Sequence, residues 1–338
     1  MTRRLPAEWE PQQAVLLTWP RADGDFARWF GAVETCFIDI ASAAARFQPV
    51  WISTAGDPEA LRRRLLERGI DAARLRVLQQ PSDDVWVRDH GPITVLDDEQ
   101  AVHVDFRFNG WGGKFTAERD DALSAGLHAR GLLPGALEAV DYVLEGGAID
   151  VDGRGSLLTT EHCVLSDTRN GGTRADFEAL VADRLGIARV LWLTRGGLAG
   201  DDTDGHVDTL ARFCDAHTIV YQGCDNPDDE HHGELAAMRS ELEALRRADG
   251  RPYVLHALPL PAAIRDEAGQ RLPASYANFL IINGAVLAPT YRDPADAEAL
   301  AVLGRCFPDR EVVGVDCVPL IHQYGSLHCV TMQVPAAN

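Results

Sequence analysis

The sequence predicts a mixed α/β protein assembled from a recurring hairpin–helix–strand unit. Three observations lead there. Pairs of short apolar runs flank a turn signal at four places along the chain. Between them lie stretches rich in Ala, Leu, Glu and Arg, with apolar residues at helical spacing. The alternation recurs turn to turn about every 55 to 70 residues, and strands alternating with helices read as α/β.

The first hairpin is Ile93 to Phe108, ITVLDDEQAVHVDFRF, with Asp97 and Asp98 at its turn. Ala148 to Thr159 carries Asp152-Gly153 between two apolar runs, and Thr209 to Tyr221 turns near Asp215-Ala216. Phe279 to Ala288 carries Asn283-Gly284. Asp-Gly and Asn-Gly are strong hairpin signals because their backbones reach positive φ at little cost. The clearest helices are Pro58 to Ala73, Arg174 to Leu185, Gly233 to Ala248 and Pro294 to Phe307. An open doubly wound sheet is the alternative. No G-x-G-x-x-G or P-loop follows a strand, and the hairpins imply mixed rather than wholly parallel pairing.

The chain has 338 residues and no Ser/Pro/Gly-rich linker, so a single catalytic domain over 1–338 is expected. Cys224 to Gly233, CDNPDDEHHG, reads as a surface loop before a helix. Hydrophobic residues at 46% suffice for a sizeable core, and a net charge of −19 repels nucleic acid and anionic membranes while attracting a small cation. The seven cysteines form no C-x-x-C, the N-terminal MTRRLPAEW has no apolar signal core, and no apolar run reaches 18 residues. These features point to a reducing compartment, and to the cytoplasm as the expected location. A homo-oligomer is compatible with all of this.

Five segments bring reactive side chains together with turn residues. In Asp84 to Pro92, DVWVRDHGP, an apolar run delivers Arg88 and Asp89 to a Gly-Pro break; a local Arg-Asp pair is the plain alternative. In Leu144 to Gly147, Glu145 precedes two glycines that let backbone approach a ligand or simply turn. In Gly200 to Asp208, GDDTDGHVD, acids surround His206. If His206 begins a strand, it shares a face with Asp208, and its acidic neighbours raise its pKa toward general-acid use. The segment lacks the spacing of a calcium loop. In Gly325 to Thr331, GSLHCVT, Cys329 sits in a short apolar run, either inert or a nucleophile served by a distant His and carboxylates. Phe108 to Phe115, FNGWGGKF, reads as a loop closing over a pocket or as a plain connection.

These segments, with PAEWEPQQAVLLTWP, LEGGAIDVDG, PASYANFLIINGAVLAP, FPDREVVGVD and the terminal LHC, resemble in order and spacing the agmatine deiminase and bacterial-type peptidyl-arginine deiminase family of the guanidine-modifying, or pentein, superfamily. The resemblance spans nearly the whole chain. It implies a five-bladed pseudo-symmetric α/β propeller around a central site. It also implies that Cys329 is the nucleophile, His206 the general acid/base, Glu145 the acid that orients that His, and Asp89 and Asp208 the pair that grips the guanidinium. Trp86 and Asp202 are the candidates for holding a distal ammonium. Asp202 stands where the family usually has the longer Glu.

The chemistry requires such a set. A guanidinium stays protonated, so two carboxylates must hold it by its edges and leave its central carbon open. A thiolate attacks, ammonia departs from the tetrahedral adduct, and water releases a ureido product from an S-alkylthiouronium. Neither metal nor other cofactor is called for, and the expected substrate is agmatine, with peptidyl-arginine or another guanidine as the alternative. The family's GGGNIHC is replaced here by Gln323-Tyr324-Gly325-Ser326-Leu327-His328-Cys329. A zinc hydrolase built on His206, Asp208 and Cys329 or His328, and a non-catalytic binding module, are the competing readings.

Overall fold

The computed structural model describes residues 3–337, which form five small sheets. β1 (Gln12–Thr18), β2 (Val50–Thr54) and β3 (Leu75–Gln79) run parallel. Four further sheets repeat one unit: an antiparallel hairpin, a helical crossover, and a third strand parallel to the second. They are β4 (Ile93–Asp97), β5 (Gln100–Arg107) and β6 (Ala136–Val143); β7 (Ile149–Val151), β8 (Ser156–Thr160) and β9 (Arg189–Leu193); β10 (Ala211–Asp215), β11 (Thr218–Gln222) and β12 (Val254–Leu258); and β13 (Leu280–Ile282), β14 (Ala285–Thr290) and β15 (Glu311–Asp316). The last strand, β16 (Met332–Pro335), returns to pair antiparallel with β1. The first blade's hairpin is therefore made from the two ends of the chain, and a five-bladed propeller closes on itself.

All four expected hairpins are present. The first turns one residue later than expected, on Asp98 and Glu99, both at positive φ. The helices Arg174–Leu185 and Ala295–Cys306 lie where expected. Thr173 and Asp176 form a capping box at the start of the former, and Gly186, in the left-handed region, ends it. Pro58 to Ala73 is shorter than expected: the helix stops at Glu67, and Gly69 (φ 86°) turns the chain toward β3. Gly233 to Ala248 is shifted to His232–Ala244, after which Arg246 bridges to Pro252. The longest helix, Phe30–Ala45, went unread. Val33, Cys36, Phe37, Ile38, Ile40, Ala41 and Ala44 are all buried in it, so its apolar surface is too broad to give a sharp helical period.

Charge is buried where the blades meet. Arg212 on β10 is fully enclosed. It donates to Glu8 Oε2 at 2.9 Å and to the Phe279 carbonyl at 2.8 Å, and it lies 3.3 Å from Asp150 on β7. Four stretches of chain from different blades thus share one guanidinium. Removing one partner of a buried ion pair strands the others, at about 3–5 kcal/mol. Arg212→Ala should lower unfolding free energy by about that amount, read from urea denaturation; a change under about 1 kcal/mol would show that the cluster does not hold the blades.

Candidate active site

The site is built from one repeated position. In each blade, the short segment just before the first strand of the hairpin turns inward. Asp89 lies in the helical turn Val87–His90 ahead of β4, and Glu145 precedes the turn Gly146–Ala148 ahead of β7. His206 and Asp208 flank the start of the turn Val207–Thr209 ahead of β10. Asn278 precedes β13, and Cys329 sits in a turn just before β16. His206 does not begin a strand, and the apolar run around Cys329 forms a turn. These residues are brought together by tight turns, and His206 and Asp208 converge without strand alternation. Turns are needed here because a strand passing straight through would carry its side chains beyond the axis.

Asp89 and Asp208 are both buried, and their carboxylates face the same point. A Cβ placed on Gly147 would lie 2.6 Å from His206 Nδ1, 2.8 Å from Asp89 Oδ1 and 3.1 Å from Asp208 Oδ2. Glycine is required there for close approach. The Gly147 N–H donates to Asp89 Oδ1 at 2.9 Å, and Trp111 Nε1 donates to Asp89 Oδ2 at 3.0 Å. His206 Nδ1 lies 3.5 Å from Asp89 Oδ1. Cys329 Sγ lies 3.4 Å from Asn278 Oδ1 and 4.0 Å from Asp208 Oδ2. Asn278 Oδ1 also accepts from the backbone N–H groups of His328 and Cys329.

Glu145 is near His206 but is held by another residue. Arg169 Nε meets both Glu145 oxygens at 2.8 and 2.9 Å. Arg169 also bonds Asp204 Oδ2 and the Thr203 carbonyl, so it ties Glu145 to the loop that carries His206. Ligand atoms of Glu145, Cys163 and His206 fall within 4.8 Å of one another, a set that could hold a metal ion. The Arg169 cation on Glu145 opposes a second cation there.

Burial governs the electrostatics. Among the described residues His206 has no hydrogen-bond partner on either ring nitrogen, and burial brings its pKa down to about 3, against the pull of Asp208. The expected rise is therefore overturned, because desolvating the imidazolium outweighs its acidic neighbours. Burial and then Asp208 push Asp89 well up. Burial, Asp208 and Asp89 likewise push the Cys329 thiol well up. Burial also works against the Asp208 carboxylate, but the hydrogen bond and charge of His328 win, and its pKa is lowered.

A pocket of about 410 Å³ opens onto this group. Asp89, Trp111 and Cys329 form its inner end, with Trp86 along its wall. Asp25, Asp84, Asp202 and Tyr324 line it further, and no Lys or Arg does. Asp202 is thus in the expected pocket, yet Lys114 Nζ already lies 3.4 Å from its carboxylate. Gly325 packs on the Trp86 ring, where a Cβ would come within 2.2 Å; this glycine of the altered Cys329 approach is the one with a steric reason. In the FNGWGGKF segment, Trp111 (φ 54°) is anchored on Asp89, and Phe115 is exposed beside the pocket.

Asn278, Arg169, Trp111 and Glu8 were not singled out from the sequence. For Asn278 a signal existed: it stands in the short segment just before its hairpin, as Asp89, Glu145 and Asp208 do before theirs.

The sequence and the fold match known proteins over nearly the full chain. The family model for Porphyromonas-type peptidyl-arginine deiminase covers residues 4–335. The chain belongs to that family. An agmatine deiminase of Pseudomonas aeruginosa is 38% identical over 98% of this chain and 95% of its own. A C. jejuni agmatine deiminase, solved with substrate bound, superposes with a TM-score of 0.91 at 31% identity, covering 99% of this chain and 97% of its own. A Porphyromonas gingivalis structure provisionally named an arginine deiminase gives 0.91 at 49% identity over 98% of both chains. The protein is thus a guanidine-modifying hydrolase of pentein fold.

Proposed function

We propose that this deiminase-family protein hydrolyses agmatine to N-carbamoylputrescine and ammonia through a covalent intermediate on Cys329. The observation that carries this reading is the charge along the pocket. Asp89 lines its inner end beside Cys329, Asp208 approaches the same Gly147 position as Asp89, and Asp25, Asp84 and Asp202 line the outer part with no basic side chain among the described lining residues. A guanidinium fits between the first pair. The outer acids suit a second cation, as in agmatine, and would repel the α-carboxylate of free arginine. A peptide backbone would bring them no cation.

The steps follow from the groups present. The guanidinium enters as a cation and offsets the two acids that hold the Cys329 proton on sulfur. His206, neutral in the free site, takes that proton as sulfur attacks the guanidinium carbon. The His206 imidazolium gives it to a departing NH2, which leaves as ammonia. Neutral His206 then draws a proton from water as it adds to the thiouronium, and the thiolate departs from the ureido product. Glu145, set by Arg169 within reach of His206, favours the imidazolium stage.

Ammonia release from agmatine, arginine, a blocked arginine peptide and methylated arginines tests the reading. Agmatine should exceed arginine by roughly 10²-fold or more in kcat/KM; arginine turned over equally well would overturn it. Among the outer acids, Asp84 is the one not already paired with Lys114 that burial, with repulsion from Asp120 and Asp25, pushes up to about 7. It keeps partial contact with solvent through the pocket. Asp84→Asn should raise KM for agmatine roughly 10- to 100-fold with little change in kcat. As pH falls from 8 to 6, Asp84 takes up a proton and the pocket loses a negative charge. KM of the native protein should rise over that interval, and that rise should vanish in Asp84→Asn. A variant with native KM at pH 8 removes Asp84 from substrate binding.

A further inference from the structure

We propose that Glu8 and His328 form a positioning pair that holds one oxygen of Asp208 and so presents the other to the substrate guanidinium. The inference rests on the reading of Asp208 as a guanidinium ligand. His328 lies between two buried carboxylates: its Nδ1 is 2.7 Å from Asp208 Oδ2, and its Nε2 is 2.8 Å from Glu8 Oε2. Ionised carboxylates only accept, so a ring bonded to one at each nitrogen donates from both. Asp208 Oδ1 is buried with no partner among the described residues, whereas Oδ2 also approaches Cys329 Sγ and the Gly147 position. The carboxylate is therefore fixed by one oxygen and open at the other.

Glu8 is itself immobilised. Its Oε1 accepts from the Ile281 N–H and its Oε2 from Arg212, with Arg88 3.8 Å away. Burial would raise its pKa, but Arg212, His328 and Arg88 outweigh that and hold it ionised. The backbone of His328 is clamped too: its N–H donates to Asn278 Oδ1, and its carbonyl accepts from Arg88 Nε at 3.4 Å. The charged groups facing the ring are Asp208, Glu8 and, more distantly, Asp150, Arg88 and Arg212, with Cys329 adjoining in sequence.

Glu8 and His328 line a second cavity, of about 490 Å³, separate from the one that Asp89 and Cys329 line. They do not contact substrate, so their influence passes through Asp208. The cation on Asp208 has a second consequence. Asp208 Oδ2 lies 4.0 Å from Cys329 Sγ and opposes its ionisation, and His328 bonds that same oxygen. The pairing also gives a purpose to the PAEWEP segment, which places Glu8 320 residues from its partner.

The test compares His328→Gln, Glu8→Gln and Asp208→Asn in the full chain, with kcat, KM for agmatine and thermal midpoints. Folded His328→Gln should raise KM roughly tenfold or more, with a smaller change in kcat. Glu8→Gln, which keeps an acceptor for the ring, should show the same split at smaller size. Native kinetics in folded His328→Gln and Glu8→Gln, beside an inactive Asp208→Asn, overturn the pair and leave the function standing. An active Asp208→Asn overturns the reading beneath it. Should the variants not fold, 15N NMR of the native protein decides: both nitrogens of the His328 ring protonated supports the pair, and one unprotonated nitrogen refutes it.

Discussion

Replacing Cys329 with alanine should cut ammonia release from agmatine by roughly 10⁴- to 10⁶-fold, because nothing else in the pocket can carry the covalent intermediate. The more informative expectation concerns the native thiol. Burial, Asp208 and Asp89 all push its pKa up, so the free protein holds a thiol and not a thiolate. A guanidinium between the acids reverses the last two effects. The nucleophile is thus created by the substrate it attacks. At pH 7, a neutral alkylating agent should label Cys329 far more slowly than an ordinary exposed thiol, whereas a small cationic agent should label it at least about tenfold faster than the neutral one. Peptide-resolved mass spectrometry distinguishes Cys329 from the other six cysteines. Rapid labelling by the neutral agent would mean that a thiolate exists before substrate arrives.

Gly147→Ala should abolish most activity while leaving the fold intact. Its added methyl would stand 2.6 Å from His206 Nδ1 and 2.8 Å from Asp89 Oδ1, closer than nonbonded atoms can approach. The methyl would occupy the space between the acid/base and the guanidinium ligands. Displacing either by about 1 Å costs roughly 10²-fold in rate, so kcat/KM should fall by at least about that factor. Circular dichroism separates this from misfolding. Native kinetics in Gly147→Ala would mean that the acids and imidazole are not held in the arrangement described.

The two substitutions probe different kinds of legibility. Cys329 could be singled out in the sequence because its residue type has few uses beside a distant His and carboxylates. Gly147 was visible as a glycine, but nothing in LEGG says that its missing Cβ faces His206, 59 residues further on. Asn278 occupies the same place in its blade as Asp89 and Glu145, yet asparagine beside apolar strands reads locally as turn chemistry. His206 illustrates the reverse error. Its acidic neighbours along the chain argue for a raised pKa, but complete burial decides the matter and lowers it to about 3. Asp202 lies in the pocket as its position implied, while its pairing with Lys114 depends on a segment 88 residues away.

Local sequence determined the units of this protein. Turn residues at Asp98, Gly153 and Gly284 set the hairpins, and alternating apolar and helical runs set the blade. Chemistry-bearing residue types just ahead of those hairpins marked the place of the site. Tertiary structure alone decided which oxygen of Asp208 is free, which cation holds Glu145, and that Glu8 supports a site built around Cys329. Those facts depend on close contacts between segments from different blades and opposite ends of the chain. Hydrogen bonds and desolvation act over a few ångströms in space, and the linear order of residues does not record that proximity.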